Sequence, residues 1–180
     1  MPATPSSNGA QRADREHVIS VLVENRAGVL ARISGMFSAR AFNIDSLAVG
    51  ETMDPTVSRM TITARGDDAV IEQIIKQLRK VIDVIRVVNL SEKTYVDREL
   101  VLVKVKTDQH TRAEIMQITE IFRARIVDVA HGSIAVEVVG DQAKIAAILD
   151  MFRPFGILEI VRTGRVAMFR GEETLKLPGA

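Results

Sequence analysis

The chain has 180 residues, of which 47% are hydrophobic and 26% are charged, and its formal net charge is +1. That length allows one large domain or two small ones, and the hydrophobic fraction predicts a folded chain rather than a disordered one. The balanced charge disfavours a nucleic-acid partner, and no apolar run is long enough to span a membrane. The sequence has no cysteine, which excludes disulfides and thiolate chemistry and fits a cytoplasmic location.

The N-terminal residues 1–15 are rich in Pro, Ser, Asn and Gly and show no apolar periodicity. Such a composition predicts a disordered tail. It contains no hydrophobic stretch of the kind that marks a secretory signal.

The first half of the chain predicts the order β-α-β-β-α-β. Val29, Ile33, Met36 and Phe37 recur at helical spacing and predict a helix that ends near Arg40. Asp67 and Asp68 are candidate caps of a second helix, which carries apolar residues to Val81. The predicted strands are 17–23, 44–50, 57–65 and 84–90. This order is that of a ferredoxin-like unit.

The second half repeats the same order in a shorter form. Its predicted strands are 98–106, 126–130, 134–139 and 157–162, and its helices begin at a Thr111–Glu114 capping box and at Asp141. The predicted fold is therefore α+β, with two tandem ferredoxin-like βαββαβ domains at 16–92 and 97–171 and a tail at 172–180. A polar connection around Tyr95 is expected to join the two.

The strands of the first unit look apolar on both faces. Val18, Val21 and Leu22 in the first strand, and Val87 and Val88 in the last, would leave one face exposed in a four-stranded sheet with helices on one side. We therefore predict that the first unit forms a homodimer edge to edge.

The loop between the first strand and helix is a candidate site for a small ligand. Gly28 allows a close backbone approach, and the following helix offers free N–H groups to a carboxylate. Asn25 supplies a donor and an acceptor, while Val29, Leu30 and Ile44 supply apolar walls. These residues suit a free aliphatic amino acid, and they also suit an ordinary strand–helix turn.

The two repeats differ at this loop. At the matching place the second unit has 107–110, Thr-Asp-Gln-His, without the Asn or the Gly, and Arg125 stands opposite Asn43. The difference suggests that only the first unit binds the ligand.

Other candidates for chemistry are weaker. His17, His110 and His131 show no metal-ligand spacing and are expected at the surface or in turns. No phosphate loop, serine elbow or zinc helix is present, so no catalytic or metal site is predicted. The phenylalanines fall on helices and turns, which argues against RNA binding.

Several blocks of the sequence resemble a known family. Segments 22–32, Leu-Val-Glu-Asn-Arg-Ala-Gly-Val-Leu-Ala-Arg, and 42–47, Phe-Asn-Ile-Asp-Ser-Leu, resemble an ACT domain. They are followed by further blocks at 54–62, 76–78, 98–100, 102–105, 120–124, 126–129, 162–167 and 170–171. Together these blocks resemble the small regulatory subunits of acetolactate (acetohydroxyacid) synthase. The resemblance covers about Glu16 to Arg170.

The resemblance implies a subunit that is not an enzyme by itself and carries no cofactor. It implies binding to a catalytic subunit, which holds thiamine diphosphate, magnesium and FAD, and activation of that subunit. It also implies feedback inhibition by a branched-chain amino acid, usually valine, in valine, leucine and isoleucine biosynthesis. The implied effector residues are Asn25 and Gly28, with Asn43 across a dimer interface, and Ala27, Val29, Leu30 and Ile44 as wall or backbone contributors. Many ACT loops have Pro where Ala27 stands.

Two other functions stay open. A free-standing ACT amino-acid sensor would share the first loop but not the blocks of the second unit. A small acyl-phosphate hydrolase of similar fold uses an Arg and an Asn near such a loop, which Arg26 and Asn25 resemble. The second unit and the basic segment 162–170 are the candidate contacts with the catalytic subunit.

Overall fold

The computed structural model describes residues 15–177, so the predicted N-terminal tail lies outside this range except for Arg15, as does 178–180 of the predicted C-terminal tail. The first unit is built from β1 (Arg15–Glu24), α1 (Val29–Ser38), β2 (Ser46–Glu51), β3 (Val57–Gly66), α2 (Asp68–Leu78) and β4 (Val84–Asn89). Its antiparallel sheet has the order β2-β3-β1-β4, so β1 is a central strand. The predicted βαββαβ order is confirmed.

One face of this sheet and the two helices enclose the core of the first unit. Ile19, Val21 and Val23 alternate along β1 and meet Ile33 and Phe37 of α1. Burying each such side chain contributes about 1.5–3 kcal/mol. The predicted cap of α2 is present, because the Asp67 carboxylate accepts a hydrogen bond from the Val70 amide at 2.8 Å.

The second unit repeats the topology. It contains β5 (Tyr95–Lys106), α3 (Arg112–Ile121), β6 (Arg125–Val129), β7 (Ser133–Gly140), α4 (Gln142–Phe152) and β8 (Ile157–Arg162), with the sheet order β6-β7-β5-β8. Asp141 caps α4 through the Lys144 amide at 2.9 Å, as predicted. The predicted Thr111–Glu114 capping box is wrong, because the Thr111 hydroxyl donates to Asp108 instead.

The connection between the units differs from the prediction. A 3₁₀ turn at Leu90–Glu92 leads almost directly into β5, so Tyr95 is a strand residue rather than part of a linker. The basic segment 162–170 contains a further strand, β9 (Val166–Phe169), which pairs antiparallel with the start of β5. We call these two paired segments, 95–98 and 166–169, the β5–β9 ribbon.

The ribbon covers the face of the first sheet that carries no helices. Val18 of β1 packs there with Leu90 and with Ala167 of the ribbon, and all three are buried. The apolar second face that suggested a partner subunit is therefore covered within the chain. Strands β2 and β4 are still sheet edges, and the homodimer stays a prediction.

Histidine burial is a second difference. His17 was expected at the surface, but it is fully buried, because β1 begins at Arg15 and places His17 opposite Ala64 of β3. His110 and His131 are exposed, as predicted. Between residues 15 and 177, none of the helices combines the length and apolar character needed to cross a membrane.

Candidate functional site

The β1–α1 loop, residues 24–28, is fixed to its neighbours mainly through Asn25. The Asn25 backbone amide donates to the Thr56 carbonyl at 2.7 Å. Its side-chain amide group donates to the Pro55 carbonyl at 2.9 Å and to Glu51 Oε1 at 3.1 Å. The nitrogen is therefore used within the chain, and the side-chain oxygen is the part of Asn25 that is left to bind a ligand.

Gly28 turns the loop into helix α1. Its φ of +87° lies in the left-handed region, which favours glycine. The role of Gly28 in binding an effector stays a prediction. None of residues 15–177 accepts a hydrogen bond from the first-turn amides of Val29, Leu30 and Ala31. These donors and the positive end of the helix dipole can bind a carboxylate.

The residues expected to form the apolar walls differ in how far their side chains are exposed. Ala27 is exposed and Leu30 is 46% exposed, so both can contact a ligand. Val29 is 2% exposed and belongs to the core, so its side chain does not face the loop surface. Ile44 is partly buried against the same core.

Asn25 and Asn43 do not come together in one chain. Asn25 follows the end of β1, whereas Asn43 precedes β2, which runs parallel to β1 because both pair antiparallel with β3. The two residues therefore lie at opposite ends of the sheet, because β1 alone spans about 33 Å. The Asn43 side chain donates to Asp45 Oδ1 at 2.8 Å and is exposed.

Asp83 organises the loop and was missed by the sequence reasoning. Its carboxylate is fully buried, and it accepts from Arg26 Nε at 2.8 Å and pairs with Arg32 Nε at 2.8 Å. Its backbone carbonyl also accepts from the Glu24 amide at 2.9 Å. Asp83 thus connects the loop, helix α1 and the start of β4, and the pairing with Arg26 raises the pKa of that guanidinium above its ordinary value.

The matching loop of the second unit is closed by its own residues. Asp108 Oδ1 accepts from the backbone amides of His110 and Thr111 at 2.9 and 2.8 Å and from the Thr111 hydroxyl. These hydrogen bonds hold the pKa of Asp108 below its ordinary value. A side-chain carboxylate thus occupies the place where an external carboxylate would bind in the first unit.

Two comparisons define the class of protein. Residues 19–86 match the family model described as "AHAS small subunit-like ACT domain", and residues 98–171 match that described as "Small subunit of acetolactate synthase". The chain is thus an ACT-domain protein of two ferredoxin-like units, and the ACT domain is the first of them.

Relatives of known name agree over nearly the whole chain. The acetolactate synthase small subunit of Aquifex aeolicus is 49% identical over 87% of this chain and 82% of its own. That of Haemophilus influenzae is 47% identical over 88% of this chain and 98% of its own. The crystal structure of the small subunit from Thermotoga maritima has a TM-score of 0.80 at 41% identity, covering 88% of this chain and 99% of that one. The chain belongs to the family of acetolactate synthase small subunits.

Proposed function

We propose that this chain activates the catalytic subunit of acetolactate synthase and makes it sensitive to feedback inhibition by a branched-chain amino acid, with valine as the first candidate. The observation that carries the proposal is the β1–α1 loop. Among residues 15–177, it has a left-handed Gly28, α1 first-turn amides without an acceptor, and an Asn25 side-chain oxygen that accepts no hydrogen bond. The second unit, which is closed by Asp108, has no such loop.

The groups around the loop match the parts of an amino acid. The amides at the start of α1 suit the carboxylate. The Asn25 oxygen and the neighbouring Glu51 carboxylate suit the ammonium group. Leu30 and Ala27 offer apolar surface to an aliphatic side chain.

A homodimer would complete the site with Asn43. If the edge strand β2 pairs antiparallel with β2 of a second copy, the start of one β2 lies beside the end of the other. Asn43 precedes β2, and Glu51, which contacts Asn25, ends it. Such a dimer therefore places Asn43 of one copy near Asn25 of the other.

Inhibition then follows from thermodynamic linkage between effector binding and the arrangement of the dimer. An effector that binds one dimer arrangement more tightly shifts the population toward it, and that arrangement couples less productively to the catalytic subunit. A coupling of about 1–3 kcal/mol corresponds to a roughly 5- to 150-fold change in affinity. The catalytic chemistry belongs to the partner, which we propose carries thiamine diphosphate, magnesium and FAD. The absence of cysteine from the sequence fits our proposal of a cytoplasmic complex.

The proposal is tested by mixing the chain with the acetolactate synthase catalytic subunit of the same organism. Acetolactate formation is followed with and without the chain, and then with valine, leucine or isoleucine added. We expect a higher rate with the chain and inhibition by at least one of the three amino acids. An unchanged rate that no amino acid lowers would contradict the proposal. Amino-acid binding without any effect on the catalytic subunit would favour the free-standing sensor.

A parallel assay addresses the hydrolase alternative. The chain alone is incubated with acetyl phosphate or benzoyl phosphate, and release of phosphate is measured. We expect no release above the uncatalysed rate, and an activity that is lost in Arg26→Met would favour the hydrolase instead.

A further inference from the structure

A groove lies between the first unit and the β5–β9 ribbon, on the face of the first sheet that carries no helices. It has a volume of about 360 Å³, which falls in the usual size range of small-molecule sites. Its floor is made of small side chains on neighbouring strands, Ala48, Gly50 and Thr61, and no atom stands where a Cβ on Gly50 would project. Its wall includes Val166 and Met168 of the ribbon. We call it the Arg59 groove, after the cation that lines it.

Arg59 is a partly buried cation without a counter-charge. Among residues 15–177, no carboxylate lies within ion-pair distance of its guanidinium, and its Nε is buried without a hydrogen-bond partner. The Ser20 hydroxyl on the same sheet face is likewise buried and unpaired within this range. Burial without compensation lowers the pKa of Arg59. A buried polar group of this kind calls for a partner that completes its hydrogen bonds.

The buried Arg165 is compensated, because it pairs with Glu16. The half-buried Arg112 has no carboxylate partner within residues 15–177 and its Nε also lacks a hydrogen bond, but its Nη2 donates to the carbonyls of Ala130 and His131. The two carboxylates that line the groove, Glu51 and Asp97, are engaged with Asn25 and with Arg165, respectively. Within residues 15–177, Arg59 therefore has neither a carboxylate nor a carbonyl partner.

We propose that the Arg59 groove binds a short branched aliphatic carboxylate. The planar guanidinium matches a carboxylate through two parallel hydrogen bonds, and the apolar floor and wall suit a branched hydrocarbon chain. A phosphate is disfavoured, because a single arginine in an apolar groove offers too few donors for it. The groove is lined by none of residues 24–28 of the β1–α1 loop, although Glu51 lies beside both. The proposal does not depend on regulation of a catalytic subunit.

The test uses the full chain and isovalerate as the probe, with isovaleramide as its neutral counterpart. Binding is followed by NMR shifts of the backbone amides at 48–51 and 166–168. We expect saturable binding of isovalerate with a Kd in the millimolar range, and at least tenfold weaker binding of isovaleramide, which cannot pair as an anion. Arg59→Met should abolish the binding, and Arg59→Lys should weaken it several-fold. Arg79→Met, which removes an equal charge from the exposed end of α2, should leave it unchanged.

A stability measurement separates a ligand-binding role from a structural one. Met keeps the apolar stem of Arg59 and removes an uncompensated charge, so Arg59→Met should unfold at an equal or higher urea concentration than the wild type. A clearly lower midpoint would show that Arg59 is held by partners within the fold and would overturn the proposal. Isovalerate binding that persists in Arg59→Met, equal binding of isovaleramide, or no saturable binding would overturn it as well.

Discussion

The two units of this chain share one topology, and their first β–α loops are built in opposite ways. In the first unit, Gly28 has a left-handed backbone conformation, and the buried Asp83 carboxylate pairs with Arg26 and Arg32. In the second, Asp108 turns onto the backbone amides of its own loop and fills the place of a bound anion. One copy of a fold can thus leave the amides of its first helical turn without an acceptor in the described range, while in the other copy a single side chain accepts from the amides just before the helix.

The two sheets also differ in how far their helix-free faces are covered. The β5–β9 ribbon buries the outer face of the first sheet, with Val18 and Ala167 at the contact. On the second sheet, Leu102 and Val161 are 40% and 53% exposed, and no segment of the described range covers them. The helix-free face of the first sheet is thus covered by the chain itself, whereas that of the second sheet exposes apolar side chains. This contrast supports our proposal that the second unit contacts the catalytic subunit.

Breaking the link between the two units should have the largest effect on stability. The Arg165 guanidinium is 9% exposed and joins Glu16 of β1, Asp97 of β5 and Gln142 of α4, the last at 2.7 Å. Arg165→Gln should lower the free energy of unfolding by about 3–5 kcal/mol, because it leaves poorly solvated carboxylates unpaired. We also expect one calorimetric transition to separate into two.

The control is Arg153→Gln. Arg153 and Asp150 are 76% and 65% exposed and pair at 3.3 Å, so loss of this pair should change the free energy of unfolding by at most about 1 kcal/mol. Equal effects of the two substitutions would show that Arg165 does not link the units.

Removing the charge of Asp83 should loosen the open loop selectively. Asp83→Asn should lower the free energy of unfolding by roughly 2 kcal/mol, which is less than for a fully buried pair because Arg26 and Arg32 can regain water. Hydrogen exchange should rise at residues 24–32 and stay unchanged at 107–116. Faster exchange in both loops would mean that the substitution acts on global stability alone.

Replacing the two glycines at the start of α1 and within it should change the free energy of unfolding in opposite directions. Gly28→Ala forces a left-handed alanine and should cost about 1–2 kcal/mol in urea unfolding. Gly35→Ala lies within α1 with open space around the new Cβ, and it should stabilise the chain by about 0.5–1 kcal/mol. A stabilising Gly28→Ala would contradict the strained geometry of the loop.

The smallest effect concerns His17. Burial, with Arg15 nearby, holds the pKa of His17 below its ordinary value of 6.5. The unfolded chain therefore binds a proton below pH 6.5 that the folded chain resists, so stability is full above that pH and falls as the pH drops below it. The loss should be about 1.4 kcal/mol for each pH unit by which the pKa is lowered. His17→Gln should flatten this slope, while the exposed control His131→Gln should keep it.

The sequence predicted the local features of the fold well. The repeat, the helix caps at Asp67 and Asp141, and the special backbone at Gly28 all depend on residues within a few positions of each other. The Thr111–Glu114 prediction failed within that same range, because Asp108 offers the Thr111 hydroxyl a nearer acceptor.

Long-range contacts explain what could not be predicted. Asp83 meets Arg26 across 57 positions, and Arg165 meets Glu16 across 149. Nothing in the local pattern of either residue indicates such a partner. The burial of His17 likewise depends on β1 lying at the centre of the sheet, which strand order decides and local sequence does not.

The central proposal is that Asn25 of one subunit and Asn43 of another form one effector site in the first unit. Asn25→Ala and Asn43→Ala should each abolish inhibition by valine while the catalytic subunit is still activated. Retained sensitivity in both variants would contradict the site.

The most direct measurement mixes the two variants, lets the dimers exchange subunits, and follows valine inhibition of the reconstituted enzyme. Each mixed dimer then carries one site with both asparagines and one site with neither. The account predicts that part of the inhibition returns in the mixture, although neither variant alone is inhibited. A mixture that stays fully insensitive to valine would contradict a site shared between two subunits.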